Sequence, residues 1–248
     1  MSTIKYPLPP EVDPARLPRH IAVIMDGNGR WAKKNKLKVA LGHRAGTENL
    51  REIIRNCSDI GVEALTLYAF STENWNRSQT EVEALMQLIL DFFHSEIDEL
   101  DQKNVRILIL GDKSGLPGPQ RQVLEQAEAR TAANTGLSLN IAVNYGGRAE
   151  LVRAAQLLAR EVQSGLRTPE SIDEAAFAGK LYTAGLPEVD LLIRTSGEMR
   201  LSNFLLYQCS YAEFVFPEEL WPDFHVPQLH RCIAEFQSRS RRYGGREE

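Results

Sequence analysis

The chain has 248 residues, 43% of them hydrophobic, and a formal charge of −4 from 29 basic and 33 acidic side chains. That size and composition suit one α/β domain with a full core, and the acidic balance excludes a general nucleic-acid binder while leaving room for local basic patches. The three cysteines, Cys57, Cys209 and Cys232, form no CxxC pair and are odd in number, so neither a disulfide framework nor a zinc site is indicated and a reducing cytoplasmic setting fits.

Residues 1–17 are rich in proline and lack an apolar signal core, and they are expected to be flexible ahead of a folded region over 18–248. No apolar run approaches the ~18 residues that a membrane span needs. Strand-like apolar runs follow at 20–26, 63–70, 105–112, 137–145, 189–195 and 212–216. Helical patterns separate most of them. "GHRAGTENLREIIRNCSDIG" sets Leu50, Ile53, Ile54 and Cys57 on one face and closes at Gly61. "TEVEALMQLILDFFHSEIDEL", "PGPQRQVLEQAEARTAANTG", "GGRAELVRAAQLLAREVQSG" and "VPQLHRCIAEFQSRSRRYGG" are four more. The alternation predicts a mainly parallel six-stranded sheet with helices on both faces.

In "VIMDGNGRWAKK" Asp26 closes the first strand run, where open α/β sheets place ligands. Amides around Gly27 and Gly29 can turn inward as an oxyanion nest, and Arg30 adds a bidentate donor. A carboxylate beside phosphate repels it unless a cation lies between, so Asp26 is read as a ligand to Mg²⁺ bridging to the phosphate. A strand-to-helix turn in which Asp26 merely caps is the competing reading. Two other strand ends resemble this one in chemistry: "LYAFSTENWNRS" presents Ser71, Thr72, Glu73, Asn74, Trp75 and Arg77, and "LLIRTSGEMRLSNFLLYQ" presents Arg194, Arg200 and Ser202. Glu213 in "YAEFVF" is a second candidate metal ligand. Two oxyanion pockets imply two phosphorylated substrates.

These segments carry a family resemblance. MDGNGRWAKK, GHRAG, YAFSTENWNRS, NYGGR, RTSGEMRLSNFLLYQ and YAE occur in the order found in the cis-prenyltransferases, from about Pro18 to Gly245. The resemblance implies condensation of isopentenyl diphosphate with an allylic diphosphate such as farnesyl diphosphate in Z geometry, with undecaprenyl diphosphate for a cell-wall glycan carrier as the expected product; a short-chain Z-prenyl diphosphate synthase and a catalytically silent lipid-diphosphate-binding partner subunit are the alternatives. It assigns the allylic diphosphate to Gly27, Asn28, Gly29, Arg30 and His43, with Arg77 nearby, and isopentenyl diphosphate to Arg194, Arg200 and Ser202. Trp31, Thr72, Glu73 and Leu201 join the substrate-binding set through their motifs, and Asp26 and Glu213 are implied magnesium ligands. Ser71, Asn74 and Trp75 fall beside the reacting carbons. Asn74 is the position named for proton removal, but an amide is a poor base, so a positioning role is expected and a diphosphate oxygen is a candidate acceptor. One departure stands out: Val39 occupies the position of a family arginine, and Lys38 offers a point charge in place of a fork. The resemblance further implies a prenyl tunnel lined by one side of helix 80–100, with Ala69 looking into it, and a homodimer in which Arg242-Tyr243-Gly244 reaches the neighbouring subunit. The product would be handed to the membrane by a protein without a transmembrane segment.

Overall fold

His20–Ile24 is buried at every position, as a strand flanked on both sides and covered on both faces must be, and it forms β1 near the middle of the sheet. Around it lie β2 (Ala64–Ser71), β3 (Arg106–Leu110), β4 (Ser138–Tyr145), β5 (Leu191–Arg194) and β6 (Glu213–Val215). In this computed structural model, which describes residues 5–239, the spatial order is β3-β4-β2-β1-β5-β6 and every pairing is parallel. Each of the six apolar runs is a strand. The first stops at Ile24 because the Asp26 N–H turns back onto the Ile24 carbonyl at 2.9 Å, which lifts Asp26 out of the ladder.

The helices are α1 (Asn28–Lys34), α2 (Val39–Ile60), α3 (Gln79–Gln102), α4 (Gly118–Thr131), α5 (Gly147–Gln163), α6 (Glu174–Ala178) and α7 (Val226–Ser238). The short α1 and α6 add to the five expected from periodicity. On one face of the sheet, Ile21, Val23, Leu65, Leu67 and Ile141 pack beneath Ile53 and Ile54 of α2, Phe92 and Phe93 of α3, Leu124 of α4 and Ile233 of α7. On the other, Ala22, Ile24, Ala142 and Leu192 pack against Tyr145, Phe204, Leu205 and Cys209. Each fully buried aliphatic side chain contributes about 1.5–3 kcal/mol of transfer free energy, so the layers hold the strand ends rigidly. All three cysteines are free and buried, and burial pushes each thiol up to about 12, which removes them from any nucleophilic role.

The expected flexible segment is docked in its described part. Val12 is buried against the core, and Gln237 of α7 accepts from the Asp13 N–H at 2.9 Å and donates to the carbonyls of Asp13 and Arg16. Its regular structure is limited to one 3-10 turn over Pro14–Arg16, yet it packs.

A buried polar chain pins the opposite ends of three strands. Asn140 donates to the Thr66 hydroxyl at 3.0 Å, and the His20 ring lies 2.6 Å from the same hydroxyl and 2.8 Å from the Pro187 carbonyl. A carbonyl only accepts, so His20 carries its proton on Nδ1 and takes the Thr66 proton on Nε2. Burial holds the ring below the usual histidine range, in keeping with that neutral form. Thr66→Val keeps the shape but strands both partners, and should cost about 1–3 kcal/mol in a chemical denaturation series. A loss well below 1 kcal/mol would show that the network is not structural.

Candidate active site

The chain leaves β1 toward α2 on one face and leaves β4 toward α5 on the other, so a crevice opens at the carboxyl ends of β1, β2, β4 and β5. Parallel pairing of β1 with β5 sets Ile24 beside Arg194, and the residues just beyond them meet. The Asp26 carboxylate accepts from Arg194 Nη2 at 2.8 Å through one oxygen and faces Arg30 Nη2 at 3.2 Å through the other. Burial raises the Asp26 carboxyl, but the hydrogen bonds and charges of Arg194 and Arg30 outweigh it and hold the group below its ordinary value. Asp26 is charged.

Two backbone hydrogen bonds clamp that position. Asp26 N–H donates to the Thr195 hydroxyl at 3.0 Å, and the hydroxyl donates to the Asp26 carbonyl at 2.7 Å. Gly27 follows with φ of 106°, and a Cβ there would lie 2.9 Å from Leu220, so both backbone shape and space require glycine. The first N–H groups of α1 have no intrahelical partner and remain available to a ligand. Asn28 Oδ1 is buried and unpartnered in the same turn.

Arg194 is 4% exposed. Besides Asp26 it donates to the Arg200 carbonyl at 2.6 Å and to the Ser202 hydroxyl at 2.7 Å, while its Nε has no partner. Ser196, Ser202 and Asn203 adopt positive φ in this loop, a local strain that the surrounding contacts must hold. Glu198 joins the two basic groups: one oxygen accepts from Arg30 at 2.9 Å and the other from Arg200. An internal carboxylate thus links one nitrogen of each guanidinium.

On the β2 side, the Ser71 N–H donates to Asn74 Oδ1 at 3.0 Å, which leaves Asn74 its amide N–H groups as donors. Glu73 accepts from Asn203 at 2.8 Å, tying this loop to the one after β5. Burial and then the charge of Arg77 push His43 below its usual value, against Glu81, so the ring is neutral near pH 7. Arg77 and His43 both reach Glu81, at 2.7 and 3.5 Å.

Below this rim lies a cavity of about 720 Å³. Its upper wall carries Asp26, Asn28, His43, Ser71, Asn74, Arg77, Arg194 and Ser202; its lower wall is Leu67, Ala69, Leu85, Leu88, Ile89, Phe92, Phe93 and Ile141. The broad apolar face of helix α3 serves core and cavity together: Met86 packs into the core, Leu88 lines the cavity, and Leu85 and Ile89 touch both. Pairing of β2 with β4 slips between Tyr68 and Phe70, and this bulge leaves Ala69 unpaired and facing the cavity while Phe70 is buried under Trp75.

The other expected site residues fall in several places. Trp31 turns away and donates to Asp223 at 2.7 Å, and Trp75 donates to Asn144 at 2.8 Å outside the cavity wall. Leu201 packs on the second core, Thr72 donates to Glu73, and Lys38 is exposed at the start of α2. Glu213 is the main correction. It opens β6 level with Leu191, and Leu191 is level with Ile21, so Asp26 lies five residues farther along the sheet, roughly 16 Å at ~3.3 Å per residue. Its carboxylate pairs with Arg239 at 2.9 Å. Within one chain Asp26 and Glu213 therefore do not share a metal, because β6 enters the sheet at its amino-terminal edge. Arg242, Tyr243 and Gly244 lie outside the described residues. Sequence reasoning passed over Arg148, which lines the cavity just after Gly146-Gly147, and Glu198; the signal for Arg148 was the Gly-Gly-Arg run at a strand end.

Over residues 24–244 the chain matches the family model described as putative undecaprenyl diphosphate synthase. The chain belongs to the cis-prenyltransferase family. An isoprenyl transferase of Clostridium tetani is 48% identical, covering 95% of this chain and 92% of that one. The ditrans,polycis-undecaprenyl-diphosphate synthase ((2E,6E)-farnesyl-diphosphate specific) of Micrococcus luteus is 49% identical over 94% of each chain. Among solved structures, lavandulyl diphosphate synthase from Lavandula x intermedia, in complex with dimethylallyl diphosphate, matches with a TM-score of 0.90 and 40% identity over 92% of this chain and 98% of that one. A probable undecaprenyl diphosphate synthase from Campylobacter jejuni matches at 0.75 and 33% over the same shares.

Asp26→Asn keeps an acceptor for Arg194 and removes the charge. In this cis-prenyltransferase fold the lowered Asp26 carboxyl adds stability that is full above about pH 4, its unfolded value, and is lost as pH falls through the folded one. The variant should show a flatter stability loss than the parent below about pH 4 in denaturant titrations. Parallel curves would mean that the arginines do not hold the carboxylate in solution.

Proposed function

We propose that the protein condenses isopentenyl diphosphate units with an allylic diphosphate, farnesyl diphosphate being the favoured primer, to build a long Z-polyprenyl diphosphate, undecaprenyl diphosphate by preference. The observation that carries this reading is the Asp26 carboxylate, held between the guanidinium groups of Arg30 and Arg194 at the mouth of a largely apolar cavity. A binder of lipid diphosphate has no use for a second cluster built around Arg194, Arg200 and Ser202.

In this reading the Gly27–Arg30 turn, with His43 and Arg77, takes the allylic diphosphate. Arg194, Arg200 and Ser202 take isopentenyl diphosphate. Arg30 and Arg200 exchange the Glu198 carboxylate for phosphate oxygens, and Arg30 faces the negative charge that grows on the allylic leaving group; fixed donors of this kind act strongly in a site shielded from water. Asn74, with its carbonyl oxygen held by the Ser71 N–H, presents an N–H donor and positions substrate. An oxygen of the departing diphosphate then takes the proton lost as the new double bond forms.

The donor set fits Mg²⁺ brought in on a substrate. Among the described residues no group of three or more His, Cys, Asp or Glu side chains could hold a metal, whereas Mg²⁺ is commonly bound by one or two carboxylates plus substrate phosphates. Asp26 would hold it, and the ion would neutralise phosphate charge there.

A homodimer belongs to this reading, and its candidate face is the β6 edge, where Phe214 of that strand, Phe216 and the exposed Met199 line a groove of about 400 Å³.

Purified protein, labelled isopentenyl diphosphate, each primer and Mg²⁺, with chromatographic sizing of the products, test the activity. Asp26→Ala should lower turnover by about a hundredfold or more, since about 1.4 kcal/mol of lost charge stabilisation is tenfold; near-parental turnover would remove Asp26 from the chemistry. Ala69→Leu should shorten the products while the first condensation keeps its rate. A destabilised variant that still makes full-length product, with the roughly 1–3 kcal/mol cost of overpacking, would mean that the Ala69 wall does not face the growing chain.

A further inference from the structure

The stretch from Lys33 to Leu41, which ends α1 and begins α2, is exposed at every residue. It holds four lysines, Lys33, Lys34, Lys36 and Lys38, and three large aliphatic side chains, Leu37, Val39 and Leu41, that are 42%, 43% and 45% exposed. Between Asp26 and Glu48 the chain has no acidic residue, although it carries a net charge of −4 overall. The lysines that form ion pairs among the described residues are Lys5, Lys103, Lys113 and Lys180, so these four ammonium groups have no carboxylate partner there. None of the four lines the cavity.

A solvated surface explains the lysines but leaves three adjacent aliphatic side chains in water without return. A nucleic-acid surface would pair the charge with aromatic stacking groups, and none of the nine residues is aromatic. Unpaired cations among aliphatic side chains match an anionic bilayer, which attracts the ammonium groups to its headgroups and takes the aliphatic groups into the acyl boundary. The patch is also placed for such a role. Val39 reaches within 3.9 Å of the position a Cβ would take on Gly29, and His43, one turn farther along α2, lines the cavity. We propose that the Lys33–Leu41 surface docks the protein on an anionic membrane with the cavity mouth close to the lipid. This rests on the proposed polyprenyl product for its purpose: an amphiphile whose tail fills the cavity would pass to the bilayer without crossing water.

Binding is read by co-sedimentation with phosphatidylcholine vesicles with and without phosphatidylglycerol, which needs no enzymatic activity. The parent should bind the anionic vesicles, bind neutral ones far less, and release when salt is raised to about 0.5 M. The combined variant Lys33→Gln, Lys34→Gln, Lys36→Gln should bind roughly a hundredfold more weakly, each lysine near the surface being worth about fivefold. Leu37→Ser with Leu41→Ser should weaken binding to the anionic vesicles at low salt, where the lysines are unchanged. Thermal melting and the first-condensation rate with a soluble short primer establish that both variants are folded and competent. Failure of the parent to bind anionic vesicles, equal binding by parent and charge variant, or equal binding to neutral vesicles would each overturn the proposal. Absence of condensation with any primer would instead strike the functional reading and leave the vesicle result to stand.

Discussion

A carboxylate that must stay charged between two guanidinium groups is the constraint around which this molecule is arranged. Arg194 is almost fully buried, and an unpaired buried cation costs several kcal/mol, so Asp26 is as necessary to Arg194 as Arg194 is to Asp26. The pair forms because β1 and β5 are neighbours in register, Ile24 beside Arg194. It stays in place because Thr195 grips the Asp26 backbone on both sides and the Trp221 N–H donates to the Asp26 carbonyl at 2.9 Å. The sheet is the rigid part, and the turn after Asp26 is fixed by the positive φ of Gly27 and its close approach to Leu220.

A second requirement is opposite in kind. The same strand ends that gather charge must open onto an apolar space, and the fold separates the two by changing strand geometry within one element. Leu67 and Ala69 of β2 pack against the core and line the cavity, and Ser71, beyond the bulge that follows Tyr68, arrives at the polar rim. Helix α3 completes the wall because its apolar face is wide enough to serve the core and the cavity together. Glu198, bridging Arg30 and Arg200, gives Arg200 a carboxylate partner and adds a second one to Arg30 beside Asp26.

The strands were legible because buried parallel strands read as continuous apolar runs bounded by polar turns, and the motif residues at their carboxyl ends came with them. Asp26, Arg194 and Ser202 meet as expected because each stands within a few positions of a strand end. What the linear pattern does not carry is lateral order. Nothing in "YAEFVF" says that Glu213 enters at the far edge of the sheet, roughly five residues of rise below Asp26. Local bends were hidden for the same reason: Trp31, in the turn adjoining the site, rotates to Asp223, a partner 192 positions away that only tertiary packing supplies. Proline-rich composition likewise suppressed regular structure in the first residues without revealing that Val12 and Gln237 would fasten them to the core.

The proposed function requires Asp26 to stand between two diphosphate sites. A crystal structure of the protein with isopentenyl diphosphate, an unreactive thio-analogue of the allylic diphosphate and Mg²⁺ tests it directly. The account predicts one diphosphate on the Gly27–Arg30 turn and the other on Arg194, Arg200 and Ser202, with Glu198 displaced from both guanidinium groups and Asp26 coordinating the cation between them. Two diphosphates bound on one side of Asp26, or a Glu198 still bridging Arg30 and Arg200 with both substrates present, would contradict it.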